Sequence, residues 1–249
     1  MTLNPYDERV ASAFRESREI PRAGLEEWRE AVQRHLDPRP GMRLLDLGAG
    51  TGAFTTAFVD WFGADVVAVE PSSAMRSRIR QSERIEVLEG DALSIPLEDD
   101  AADGAWLSLV IHHVPDLAAA AREIRRVLRP GAPVLIRQGF PDRDLSGIEM
   151  IRWFLETAKL VATYPTLAGT CAAFETADFH REAVEQVCDI RSEPLAEFLA
   201  QADTLRTADT TLRALTEDEF QRGKERLRRA VESGDTAPRT NALDLLVLR

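Results

Sequence analysis

The sequence predicts a doubly wound α/β fold, and three observations carry that prediction. Apolar runs of strand length alternate with segments of helical spacing through residues 43–137. Several of those runs, such as Gly104–Ile111, are strongly apolar, as strands covered on both faces of a parallel sheet are. Leu44-Leu45-Asp46-Leu47 leads straight into Gly48-Ala49-Gly50-Thr51-Gly52, a strand that empties into a glycine-rich turn. Together these indicate a Rossmann-like parallel sheet with helices on both faces.

The elements follow in order. Residues 7–18 and 24–36 carry helical spacing, with Val10 and Phe14 on one apolar face and Leu25, Trp28, Val32 and Leu36 on the other. Pro21-Arg22-Ala23-Gly24 separates the two, and Asp37-Pro38-Arg39-Pro40-Gly41 stops the second. Strands are expected at 43–47, 65–70, 85–89, 104–111 and 133–137, and helices at 53–62, 73–81 and 117–128. Beyond residue 138 the rhythm changes. Residues 145–162 and 166–177 read as helices, 183–190 as a strand, 194–232 as charged helix and 242–248 as a final apolar strand. The last two strands complete a seven-stranded sheet, mostly parallel, with an antiparallel edge strand and the helices between them as an insertion. One domain is expected over 1–249: a helical lid at 1–39, a core at 40–139, a substrate-side insertion at 140–180 and the terminal strands with their helical insertion at 181–249.

Bulk properties narrow the function. The chain has 249 residues, is 44% hydrophobic and 29% charged, and carries a net charge of −11. That balance opposes general attraction to a nucleic-acid backbone. The arginines at 226, 228 and 229 sit among glutamates and read as a solvated helix face. Two cysteines, Cys171 and Cys188, form no CxxC or Cys/His cluster, so no metal is expected. The first residues lack the basic-then-apolar pattern of a signal peptide, and no apolar run approaches the ~18 residues of a membrane span. A cytoplasmic protein with a small-molecule partner is expected, binding neither nucleic acid nor membrane.

Which ligand the glycine turn holds is open at this point. Gly48-x-Gly50-x-Gly52 falls one residue short of the dinucleotide pattern GxGxxG, and a lone turn of this kind is weak evidence. Three further features bear on it. Glu70, followed by Pro71, ends the second strand, where an acid can accept from both ribose hydroxyls of a nicotinamide or an adenosyl cofactor. Gly90-Asp91-Ala92-Leu93 follows the third strand and sets a carboxylate beside a small residue, suited to an adenine edge. Asp103–Val114 (DGAWLSLVIHHV) is followed by Glu123-Ile-Arg-Arg-Val-Leu-Arg-Pro-Gly131.

With these four ordered motifs, residues 40–137 resemble the class I S-adenosylmethionine-dependent methyltransferases, in particular the small-molecule group of ubiquinone/menaquinone biosynthesis. The resemblance implies S-adenosyl-L-methionine as cofactor. It implies that Asp46, Gly48, Ala49, Gly50, Thr51 and Gly52 lie beside its methionine part, that Glu70 and Pro71 hold the ribose, and that Asp91, Ala92 and Leu93 flank adenine. Leu107 and Ser108 would line the cleft near the sulfonium. Many members carry a tyrosine four residues before an arginine in the N-terminal helix; here Phe14 precedes Arg18, so Arg18 would meet the cofactor carboxylate without that hydroxyl.

His112 and His113 stand where the fourth strand meets its loop. A neutral imidazole there can take a proton from an attacking oxygen, nitrogen or carbon acid; the alternative is one ring packed on the sheet and the other bonded to the loop. Phe140, Trp153, Phe154 and Tyr164 can form an apolar acceptor pocket, or Phe154 can belong to a core stripe. Arg143 and Arg152 can meet an anionic group or pair on the surface, and His180 reads as a surface or packing residue. The expected function is methyl transfer to a small, partly apolar acceptor. The alternatives are a cofactor-dependent reaction other than methylation, such as cyclisation or rearrangement, a cofactor-binding structural or sensing module, and a dehydrogenase.

Overall fold

A computed structural model describes residues 8, 10, 11, 22–191, 193–235, 237 and 239–249. Seven strands are present: β1 (Arg43–Leu47), β2 (Asp65–Val69), β3 (Ile85–Leu88), β4 (Gly104–Ser108), β5 (Val134–Gln138), β6 (Arg181–Arg191) and β7 (Arg239–Leu248). They form one sheet in the order β3-β2-β1-β4-β5-β7-β6. β1 to β5 pair in parallel, and β7 runs antiparallel to both β5 and β6. The antiparallel strand therefore lies one place in from the edge, with β6 outermost. The order reverses between β1 and β4, the switch point at which open α/β sheets bind ligands beyond their carboxyl ends.

Helices cover both faces. On one side lie α1 (Glu26–Leu36), burying Trp28, Ala31, Val32 and Leu36, and α2 (Ala53–Phe62), burying Phe54, Ala57 and Phe58. They close over Leu44, Val66, Trp106, Leu135, Leu245 and Val247. α3 (Ser73–Arg76) is a single turn after β2. On the other side, α4 (Leu117–Val127) is started by the Asp116 side chain, which accepts from the Ala119 N–H at 2.9 Å, and it buries Ala120, Ala121, Ile124 and Val127. That spacing presents one continuous apolar stripe to the sheet.

Three elements depart from the sequence expectation, each for a local reason. The 104–111 run stops as a strand at Ser108. Leu109 takes a left-handed φ of 53°, and Ile111–His113 coils into a 3-10 turn. The helix expected over 73–81 ends after α3: Ser72 caps it, but the Ser77 hydroxyl and Arg78 guanidinium donate to the Ala74 carbonyl, and the Arg78 and Ile79 N–H groups turn back three residues, to Met75 and Arg76. The 145–162 helix is broken into α5 (Glu149–Trp153), a 3-10 turn Leu155–Thr157 and α6 (Ala158–Val161). The break falls on Phe154, at φ −111° and ψ 70°, whose ring stacks on Phe220 at 5.4 Å. Of the expected N-terminal helix, residues 8, 10 and 11 are helical and the rest lies outside the described residues.

α7 (Leu167–Glu175) precedes β6. The charged stretch between β6 and β7 divides into α8 (Leu195–Ala208), α9 (Thr210–Arg213) and α10 (Glu217–Glu232). Asp209 caps α9, and a Thr216–Glu219 capping box starts α10. These helices and α5 enclose a second core of Phe154, Phe198, Leu205, Leu212, Phe220 and Leu227. Gly223 leaves room for the Phe154 ring; a Cβ there would stand 2.1 Å from its Cδ1. Truncating Phe154 to alanine is expected to cost about 3–5 kcal/mol of the insertion's packing. Hydrogen exchange should show α10 losing protection ahead of the main sheet, and equal protection in wild type and variant would contradict this.

Candidate active site

The glycine turn leaves β1 and enters α2 in a conformation side chains resist. Gly48, Gly50 and Gly52 have φ of 74°, 57° and 80°. The N–H groups of Gly48 and Ala49 both donate to the Val69 carbonyl, at 2.8 and 3.2 Å, which ties the turn to the end of β2. A Cβ on Gly48 would lie 2.5 Å from Val110 Cγ2, and one on Gly52 2.9 Å from Ile79 Cγ2. The turn is therefore closed to side chains by backbone conformation and by neighbours alike.

Glu70 sits immediately after β2 and is 6% exposed. Its Oε2 accepts the Gly50 N–H and its Oε1 the Ser72 N–H, both at 2.9 Å. Burial pushes its carboxyl up, while those two N–H groups and Arg76 draw it down. Arg76 donates to the carbonyls of Glu70 and Pro71 at 2.7 Å each and to Glu89 at 2.5 Å, so the acid's backbone is clamped as well. A carboxylate has about four acceptor positions, which leaves one on each oxygen for a further donor. A buried acid with two acceptor positions left, fixed beside a turn that only glycine fits, suits the ribose hydroxyls of an adenosyl cofactor.

Asp46, within β1, is buried and accepts the Thr55 hydroxyl at 2.5 Å. Burial pushes its carboxyl up to about 7, opposed by Thr55 and assisted by the Glu70 charge. The sign of its effect on stability follows. Between about pH 4 and 7 the folded chain holds a proton that the unfolded chain has lost, so stability falls as pH rises through that window, by about 4 kcal/mol, and levels above it. Asp46→Asn is expected to flatten this slope in urea unfolding followed from pH 4 to 8. An unchanged slope would overturn the assignment.

Asp91 is exposed and forms a turn: its Oδ1 accepts the N–H groups of Leu93 and Ser94 at 2.8 and 3.1 Å. That turn buries Ala92 and leaves Leu93 38% exposed, an apolar surface near the ends of β2 and β3. At the end of β4, Leu107 is buried in the sheet core and Ser108 is half-buried. The His112 and His113 rings lie 4.1 Å apart, and His112 stacks on Tyr164 at 4.2 Å and 13°.

The structure does not gather every expected residue. Phe140 and Phe154 are both 0% exposed, Phe140 in the sheet core and Phe154 in the insertion core. Both are packing residues: a ring with no open surface presents no wall to an acceptor. Trp153 is half-buried at the edge of the insertion core, and its carbonyl accepts from Arg226 at 3.0 Å. Arg143 pairs with buried Asp244 at 3.3 Å, and His180 is exposed. Arg18 lies outside the described residues. Sequence reasoning missed Arg76, and it missed the buried Arg137–Asp189 pair, although a cation inside the apolar run Val134-Leu135-Ile136-Arg137 was the available signal.

Sheet order, switch point, glycine turn and strand-end acid together make a Rossmann-like fold with a candidate ligand site at its switch point. Residues 45–136 match the family model described as a methyltransferase domain. Over 109 residues it is 38% identical to a demethylmenaquinone methyltransferase of Corynebacterium kroppenstedtii, covering 44% of this chain and 47% of the relative. Over 137 residues it is 34% identical to the ubiquinone/menaquinone biosynthesis C-methyltransferase UbiE of Paracoccus denitrificans, covering 51% and 55%. The chain thus spans about half the length of the curated relatives it matches. A putative methyltransferase from an antibiotic biosynthesis pathway of Anabaena variabilis has the same fold, with a TM-score of 0.75 at 20% identity, covering 94% of this chain and 99% of that one.

Proposed function

We propose that this chain binds S-adenosylmethionine across the glycine turn and transfers its methyl group to a small, partly apolar acceptor. The observation that supports this best is the Glu70 carboxylate, buried, oriented by Gly50 and Ser72, and still able to accept from two hydroxyls. Gly48 to Gly52 admit the methionine part against the backbone. Asp46 adds negative charge beneath it once ionised, and Asp91, Ala92 and Leu93 meet the adenine. Arg18 remains assigned to the cofactor carboxylate.

Bound, the cofactor supplies a methyl group already activated by its sulfonium. The protein's task is to hold the acceptor atom in line and keep water out. His112 and His113 stand at the end of β4 to take a proton where the acceptor atom carries one, with Tyr164 stacked on His112 to fix its ring. Trp153 and Tyr164 are the remaining aromatic residues proposed for the acceptor side.

The test is incubation with methyl-labelled cofactor and a panel of acceptors headed by demethylmenaquinone, the acceptor named for the relatives. Label in product is expected. Product without label would favour a cofactor-assisted rearrangement, and cofactor binding without any product would favour a sensing module.

A further inference from the structure

The loop after β5 reaches across to the segment that carries Tyr164. Phe140 to Arg143 form a turn, closed by the Arg143 N–H donating to the Phe140 carbonyl at 3.0 Å, with Pro141 and Asp142 at its two central positions. Both ends of the turn are held: Phe140 is buried in the sheet core, and Arg143 pairs with buried Asp244 of β7 at 3.3 Å. Asp142 stands exposed at the tip. Its Oδ1 accepts the Leu167 N–H at 2.6 Å and its Oδ2 the Ala168 N–H at 3.2 Å, the first two N–H groups of α7. Partial burial raises the Asp142 carboxyl, but these N–H groups and Arg143 outweigh it and hold the carboxyl below its ordinary value.

Helix α7 thus has two caps of different reach. Thr166 accepts the Gly169 N–H at 2.9 Å from within its own segment, whereas Asp142 ties the helix to a loop 25 residues earlier. Tyr164 lies just ahead of this helix end, with Pro165 stiffening the connection. Upstream the segment is bonded within itself: the Tyr164 N–H donates to Val161 and the Thr163 N–H to Leu160, each at 2.9 Å. The Tyr164 ring meets His112 nearly face to face, 4.2 Å between centres at 13°. The histidine side is fixed by its own 3-10 turn, in which the His113 N–H donates to Val110 at 2.8 Å and Ile111 is fully buried. A stack this close to parallel depends on where the Tyr164 backbone sits.

We propose that Asp142 is a positioning residue for the proposed reaction: by tying the start of α7 to the loop after β5, it sets the Tyr164 ring against His112. This rests on the methyl-transfer reading, in which His112 takes a proton from the acceptor, and names the residue that keeps that base in place.

The test reads the stack directly, by proton NMR of the His112 ring in the full chain without cofactor or acceptor. The chain has four histidines, and His112→Gln identifies the signals of this one. Stacked rings shield each other's protons, so the wild-type His112 signals are expected upfield, and Tyr164→Leu is expected to remove that part of the shift. Asp142 is exposed, so Asp142→Ala opens no core cavity; it is expected to lose most of the Tyr164-dependent shift. Asp142→Asn keeps one acceptor oxygen and is expected to retain part of it. Thr166→Ala removes a cap from the same helix end but leaves the Asp142 tie, and is expected to retain it fully. Methyl transfer by Asp142→Ala is expected to slow about tenfold at unchanged S-adenosylhomocysteine affinity, a part of the about 10²–10⁴-fold that a positioned base contributes. A wild-type His112 shift in Asp142→Ala, or its loss to the same extent in Thr166→Ala, would overturn the proposal. An Asp142-dependent stack in a chain that transfers no methyl group would keep the positioning role and remove the methyl-transfer reading.

Discussion

Glu70→Ala is expected to abolish measurable cofactor binding. Two hydrogen bonds from ribose hydroxyls to an ionised acceptor contribute about 1.5–3 kcal/mol each, so their loss weakens binding by about two to four orders of magnitude. The alanine also strands the N–H groups of Gly50 and Ser72, which Glu70 now accepts, so the turn itself loosens. Glu70→Gln separates the two effects. The amide can still accept from one N–H but must turn its NH2 toward the other, and it carries no charge. It is expected to bind cofactor more weakly than wild type and better than the alanine variant. Isothermal calorimetry with S-adenosylhomocysteine reads the affinity, and thermal unfolding of the ligand-free proteins reads the turn.

Gly48→Ala is the second large effect. The left-handed backbone at φ 74° costs an L-residue about 1–2 kcal/mol, and a methyl 2.5 Å from Val110 Cγ2 adds about 1–3 kcal/mol of overpacking. A loss of about 2–5 kcal/mol in stability is expected, with cofactor binding lost as the turn shifts. Two controls dissect it. Gly131→Ala has a similar φ of 79° but nothing within 4 Å of its Cβ, so it should show the backbone cost alone. Val110→Ala in the Gly48→Ala background should recover the overpacking part and leave the backbone part, a coupling that a double-mutant cycle measures. Additive single effects would mean that the Gly48–Val110 approach is not what closes the turn.

Most of the sheet was legible because its signals are local. β1 to β5 are apolar runs bounded by Gly, Pro or charged residues, and the Gly48–Gly52 turn follows directly from its spacing. The terminal strands and their antiparallel pairing were legible in the same way. What escaped depends on partners distant in sequence. The 145–162 helix has good periodicity, yet Phe154 leaves the helix to join Phe220, a residue of a helix that lies beyond β6. Tertiary packing overrode local propensity there.

The same division runs through the site. Glu70, Asp91 and the glycines declare themselves by position after strands. Phe140 and Phe154 did not, because an aromatic residue in a substrate-side segment reads alike whether it faces a ligand or a core. Arg76 and the Arg137–Asp189 pair required the fold: Arg137 and Asp189 come from β5 and β6, which are separated in the sheet by β7. The residues proposed for the cofactor thus lie in contiguous motifs, whereas those proposed for the acceptor side, His112, His113, Trp153 and Tyr164, are spread over separate segments.

The central claim is that a buried acid at the end of β2 holds an adenosyl cofactor against the glycine turn. Calorimetric titration of the wild type and Glu70→Ala with S-adenosylhomocysteine tests it most directly. Saturable binding by the wild type that disappears in a folded Glu70→Ala variant is the expected result. No binding by the wild type, or the same affinity in both proteins, would contradict it.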